Sequence, residues 1–201
     1  MSQQYSGSAG SSSALIVPSE YTGQERSLLL QLAHEAILSA LERREISLST
    51  SSTHLSEPRG VFTTLYSRGQ LRGCVGFPAA VVPLYRAVIE TARAAASEDP
   101  RFRPLELDEA RELKISLSVL STLQPISADG VQVGRHGLVI SAAGRRGLLL
   151  PQVPVEHGWD RTTFLEQTCL KAGLPVSAWQ QGAKIEAFTA EVFADRGCKA
   201  A

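Results

Sequence analysis

Cysteine is scarce in this sequence: three residues in 201, widely spaced and with no C-x-x-C pair. An odd, scattered set speaks against a disulfide framework and a structural zinc site, and suits a reducing compartment. Excess charge of either sign is also missing, because 20 Lys and Arg balance 20 Asp and Glu. Nonspecific nucleic-acid binding rests on surplus cations, so that class is disfavoured, local arginine clusters aside. No apolar run reaches the ~18 residues of a membrane span. The first residues hold neither the basic nor the apolar segment of a signal peptide. The expected location is the cytoplasm. Neither G-x-x-x-x-G-K-[ST] nor G-x-G-x-x-G occurs, so no nucleotide-phosphate loop is expected. The sequence leaves the cofactor open.

What is present fits one domain. Hydrophobic residues make up 43%, enough for a core. Residues 1–14 are mostly Ser, Gly and Gln and are expected to form a disordered tail. Thr22 and Glu25 read as a capping box. Leu28, Leu29, Leu32, Ala33, Ala36, Ile37, Ala40 and Leu41 follow at helical spacing. His34 is expected at the boundary of that helix and His54 in a solvated loop, 47–60. Residues 61–66 and the strand after the Ser67-Arg68-Gly69-Gln70 turn read as a hairpin. Pro83 is expected to open a helix with Leu84, Val88, Ala92 and Ala95 buried. A short helix is read at 107–113 and a strand at 115–120, with Ile115, Leu117 and Val119 on its core face. A hairpin loop is expected at 142–145. Asp160 caps a helix that ends near Gly173 and buries Cys169. One last strand is expected over 184–193, and a frayed tail at 196–201.

Leu71-Arg72-Gly73-Cys74-Val75-Gly76 joins a nucleophile-capable thiol, a cation two residues away and two glycines. Side chains alternate along a strand. Arg72, Cys74 and Gly76 then share one face, while Leu71, Gly73 and Val75 form a core face. Arg72 beside Cys74 favours thiolate. Glycine lets a ligand or a second backbone approach. The structural alternative is a tight sheet with cysteine as a small apolar filler.

Asp99-Pro100-Arg101-Phe102-Arg103-Pro104 sets one acid and two arginines between prolines that fix an extended path. It reads either as a binding element, through Asp99, Arg101 and Phe102, or as a loop braced by an Asp99–Arg101 salt bridge. Residues 151–159 hold two prolines and are expected to run extended along a cleft, presenting Gln152, Glu156 and His157. His157 is the best general-base candidate, with Glu156 beside it. A lone loop histidine also serves structure.

Together these stretches resemble the AMMECR domain family, of the prokaryotic AmmeMemoRadiSam type. The carriers are the Cys74 signature, the Asp99 element, Ser118-Val119-Leu120, Gly147-Leu148-Leu149-Leu150-Pro151-Gln152-Val153, Gly158-Trp159-Asp160 and Thr168-Cys169-Leu170-Lys171-Ala172-Gly173-Leu174. The resemblance covers roughly residues 21–193. Two positions depart from the family pattern: Ala110 stands where leucine is usual and Ser116 where an acid is common. The expected fold is α+β, an antiparallel-rich sheet with packed helices, and the resemblance implies two lobes around a cleft within a domain spanning 15–195. It also implies partners: a Memo-like protein similar to extradiol dioxygenases, and a radical-SAM protein. Two functions follow. One is a thiol-dependent enzyme with Cys74 as nucleophile, Arg72 as its activator and His157 or Glu156 handling protons. In the other, a binding module, the Arg101/Arg103 loop and the Gln152–Trp159 segment are the contact surfaces and no chemistry is needed; Gly73, Gly76, Asp99, Arg101, Phe102 and Gln152 are the candidate binding residues.

Overall fold

The computed structural model describes residues 19–45 and 49–198. The tail read at 1–14 lies outside the described residues. Helix α1 (Gly23–Leu41) opens with the capping box: the Glu25 N–H donates to the Thr22 hydroxyl at 3.2 Å, and the Thr22 N–H donates to the Glu25 carboxylate at 2.9 Å. Strands β1 (Val61–Ser67) and β2 (Gln70–Phe77) form the expected hairpin. Arg68 and Gly69 both take positive φ at its turn, which the right-handed twist of the strands favours. Helix α2 (Leu84–Ser97) buries Leu84, Val88, Ala92 and Ala95 and turns Arg86, Glu90 and Arg93 to solvent. Helix α3 (Leu107–Arg111) leads into β3 (Lys114–Leu120), whose Ile115, Leu117 and Val119 enter the core.

The second half supplies β4 (Gln124–Pro125), β5 (Gly137–Ala142), β6 (Arg145–Leu149), α4 (Gln152–Glu156), α5 (Arg161–Lys171), β7 (Lys184–Phe188) and β8 (Ala190–Ala194). Two antiparallel four-stranded sheets result, ordered β2-β1-β3-β8 and β4-β7-β5-β6. Helices α1 and α2 cover the first sheet around Leu29, Ile37, Leu65, Leu84 and Leu117. Helix α5 covers the second, around Leu138, Ile140, Phe164 and Cys169. The expected α+β class is what the chain adopts. A third small cluster, Leu120, Val139 and Phe188 with Phe62 and Leu148 against it, draws on strands of both sheets. No helix among the described residues is long and apolar enough to cross a membrane.

Four expectations change. The single last strand is two, β7 and β8, in different sheets, with Thr189 between them. There the chain crosses back, and the crossing is bonded to the outward one: Ser121 N–H donates to Thr189 O at 2.9 Å, and Thr189 N–H to the Ser121 hydroxyl at 3.0 Å. The 151–159 stretch is helical rather than extended. Pro151 sits at φ −59°, ψ −31°, and Pro154 falls in the first turn, where a helix needs no N–H. Gly158 at φ 64° follows the helix. Pro100 initiates a turn, closed by Phe102 N–H on Asp99 O at 3.1 Å, so the 99–104 path is not straight. Finally, His54 is half-buried and partnered rather than freely solvated. It stacks on Tyr21 with ring centroids 4.9 Å apart and bonds Glu25 at 2.9 Å, next to the fully buried Leu55.

Candidate functional site

Strand β2 is an edge of the first sheet, so one side of its backbone has no neighbouring strand. Its pairing with β1 shifts between Leu65 and Tyr66: Leu65 faces Gly73 and Tyr66 faces Leu71. Arg72 has no residue opposite it. The alternation that placed Arg72 beside Cys74 breaks at this bulge, and Leu71 ends 43% exposed rather than in the core. The glycines admit protein rather than a ligand. A Cβ on Gly73 would overlap the Ala95 carbonyl of α2, and one on Gly76 would overlap the Phe62 ring. Close packing is therefore what they serve here, and the open surface expected at Gly76 is filled by Phe62.

Cys74 lies opposite Thr64, with its Sγ 3.3 Å from the Thr64 hydroxyl. Thr64 in turn lies opposite Ser116, which is 1% exposed and whose hydroxyl has no partner among the described residues. Tyr66 is next along β1. Burial pushes its phenol up, and the nearby Cys198 and Cys74 add to that. The segment expected to fray contributes a turn here, closed by Cys198 N–H on Asp195 O at 3.0 Å.

The outward backbone of Cys74 is met by side chains. Its N–H donates to Asp99 Oδ2 at 2.8 Å, and Arg101 Nη2 reaches its carbonyl at 3.5 Å. Arg101 also donates to the Asp99 carboxylate through Nε at 2.9 Å and Nη2 at 2.7 Å. The bracing ion pair is thus formed, and it also stands where a fifth strand would pair. Hydrogen bonds from Arg101, then from the Cys74 N–H, hold the Asp99 carboxyl well below the usual carboxylate range despite its burial. Arg72 goes elsewhere. Its Nε and Nη2 donate to Glu109 at 2.7 and 3.1 Å, and its Nη1 is buried without a partner among the described residues. Both guanidinium groups lie over the Phe102 ring, Arg101 at 5.4 Å and Arg72 at 5.9 Å from its centroid.

The structure therefore gathers Arg72, Gly73, Cys74, Gly76, Asp99, Arg101 and Phe102 at one sheet edge. It carries Gln152, Glu156 and His157 on or beside α4, after β6 of the other sheet. His157 is exposed and stacks on Trp159, centroids 4.7 Å apart. No hydrogen bond, ion pair or ring contact among the described residues joins the two groups. Among these residues no cluster of three or more His, Cys, Asp or Glu is arranged to hold a metal ion. Glu109 and Thr64 were not singled out in the sequence. Glu109 had no local signal, since its partner lies 37 residues away; Thr64 was legible only through the hairpin register.

Comparison with known proteins adds a family. The family model described as AMMECR1 matches residues 30–193. A protein of Methanopyrus kandleri is 43% identical over 184 residues, 86% of this chain and 89% of that one. A protein of Aquifex aeolicus is 38% identical over 178 residues, 84% of this chain and 91% of that one. The crystal structure of an uncharacterized protein from Pyrococcus horikoshii superposes with a TM-score of 0.71 at 41% identity, covering 84% of this chain and 90% of that chain.

Proposed function

The chain belongs to the AMMECR1 family, and from that membership we propose that it is a binding component which contacts partner proteins through the Cys74 edge, rather than a thiol enzyme. One observation carries this reading. The two guanidinium groups at that edge are both committed to carboxylates, Arg72 to Glu109 and Arg101 to Asp99. A thiol nucleophile needs a cation or base turned toward it. Here the cations hold the strand and its flanking loop in place instead. The same braces fix an exposed surface: the Arg101 and Arg103 side chains are 55% and 62% exposed on a loop that Asp99 ties down. Arg103 is itself held by Glu106 at 2.7 Å and Glu109 at 3.5 Å, so the surface is rigid and carries paired charges of both signs, which suits a polar patch of complementary charge on a partner. The partners in this reading are a Memo-like protein and a radical-SAM protein, and the setting is a reducing cytoplasm.

The test uses both purified partners from the same organism. Arg103→Glu is expected to weaken binding to at least one of them about tenfold, while Cys74→Ser leaves binding within about twofold. Loss of product formation in the reconstituted mixture on Cys74→Ser, with binding retained, would replace this reading by the thiol-enzyme one. Unchanged binding by Arg103→Glu would remove the proposed surface.

A further inference from the structure

Between the 132–135 loop, α4 and β8 lies an open cavity of about 670 Å³. Its walls are mostly aliphatic: Val133, Pro151, Val155, Ala190 and Val192. Val133 and Val155 are 38% and 58% exposed, so apolar surface stands uncovered at the mouth. The start of the described chain lies against the same strand. The Ser19 hydroxyl donates to Glu191 Oε1 at 3.2 Å, and the Glu20 N–H donates to Glu191 Oε2 at 2.6 Å. Glu191 stands between Ala190 and Val192, which alternate to the other face of β8 and line the cavity. Among the described residues β8 is an edge of its sheet, so no strand stands between Ser19 and that face. A smaller hollow joins the two places. It is lined by Ser19, Glu20 and Glu191, and also by Thr189, Ala190 and Val192, which it shares with the large cavity.

The residues before Ser19 are Leu15-Ile16-Val17-Pro18, outside the described residues. They hold the one run of large aliphatic side chains in the first 18 positions, since residues 2–14 are Ser, Gln, Gly, Ala and a tyrosine. A chain spans at most ~3.5 Å per residue, so Val17 can extend ~7 Å from Ser19 and Leu15 ~14 Å. That is enough to pass over the edge of a strand. We propose that Leu15, Ile16 and Val17 dock into this cavity and cover Val133, Val155 and Val192, so that the chain supplies its own occupant. The segment matches the walls in chemistry and is tethered beside them. A short tether gives an effective concentration on the order of mM, so contacts of about that strength suffice. The cavity lining is then open to a competitor only when the segment leaves. The inference goes beyond the reading given for the Cys74 edge, because β2 and β8 are opposite edges of one sheet.

The experiment is methyl NMR of the full chain, labelled at the Leu, Ile and Val methyls. NOEs are expected from Leu15 and Ile16 to Val133 and Val155. In a mixture of labelled and unlabelled chains, an isotope-filtered spectrum is expected to show none of these contacts between chains. Ile16→Asp is expected to remove the NOEs, move the Val133 and Val155 methyls and raise binding of the apolar dye ANS about threefold. The core methyls of Leu29 and Leu117 should stay in place. Val155→Asp, made from the cavity side, should move the Leu15, Ile16 and Val17 methyls. The proposal falls if no NOE joins the segment to the cavity, or if Ile16→Asp leaves the cavity methyls unmoved. It also falls if the contacts appear only between chains, which makes a second copy the occupant, or come from a small molecule carried through purification.

Discussion

Arg72 and Arg101 flank the Cys74 strand, and each ends on a carboxylate. Arg135, beside the Gln152 cavity, ends on a neutral amide. One region uses its cations internally, to fasten an edge strand and a stiff loop. The other leaves a cation without a carboxylate, and an amide oxygen without a donor, among the described residues beside aliphatic walls. Motif richness pointed to the first region, yet its polar groups are mostly answered from within the fold. A side chain that already has its partner gives structure, whereas an unmatched one next to a cavity has capacity left for a visitor.

The largest test of this contrast is Asp99→Ala. Asp99 is 5% exposed and accepts from the Cys74 N–H and from Arg101. Its removal leaves the N–H of an edge strand without its partner, and stability is expected to fall by about 2–3 kcal/mol, read by urea unfolding. Its pH dependence has a definite sign. The folded carboxyl titrates below its unfolded value of about 4, so its contribution is complete above that pH. It is lost as pH falls from there through the depressed folded value. The alanine variant should therefore lose stability less steeply on acidification. A change under about 0.5 kcal/mol would mean that the edge is held by the sheet alone.

Glu109→Gln is the next largest. It keeps the shape and removes the charge that Arg72 answers, with both side chains largely out of solvent. A loss of about 1–2 kcal/mol is expected. In a double-mutant cycle, Arg72→Ala should cost less in the Glu109→Gln background than in the parent. Equal costs would show that the two groups do not interact energetically, and the contrast with Arg135 would lose half its basis.

How much of this was legible beforehand follows the range of the interactions. The Thr22 capping box, the α2 stripe and buried Cys169 rest on spacings within one element, and the β1–β2 hairpin on one short turn; all four are found. The Asp99–Arg101 pair is two residues apart and was readable as one of two alternatives. Arg72 failed as an activator because a bulge broke the alternation, and a bulge needs the partner strand to define it. Its real partner, Glu109, is distant in sequence. In the 151–159 stretch the prolines exclude a sheet interior but do not separate an extended path from a helix, because proline also fits the first turn of a helix. The switch of sheets at Thr189 left no mark on the alternating pattern of 184–193, since both β7 and β8 are strands.

The smallest effect belongs to the cavity, and its sign is informative. Gln152→Leu replaces an amide, whose oxygen has no partner among the described residues, with an aliphatic group of similar length. Where a polar group serves the fold, this change removes a hydrogen bond and destabilises. Where the group is held unmatched, it removes a desolvation penalty and adds apolar surface to walls that are already Val133, Pro151 and Val155. The expected result is a gain of about 0.5–1 kcal/mol in urea unfolding. If stability instead falls by more than about 1 kcal/mol, the Gln152 amide is part of the scaffold and the two regions do not differ in kind.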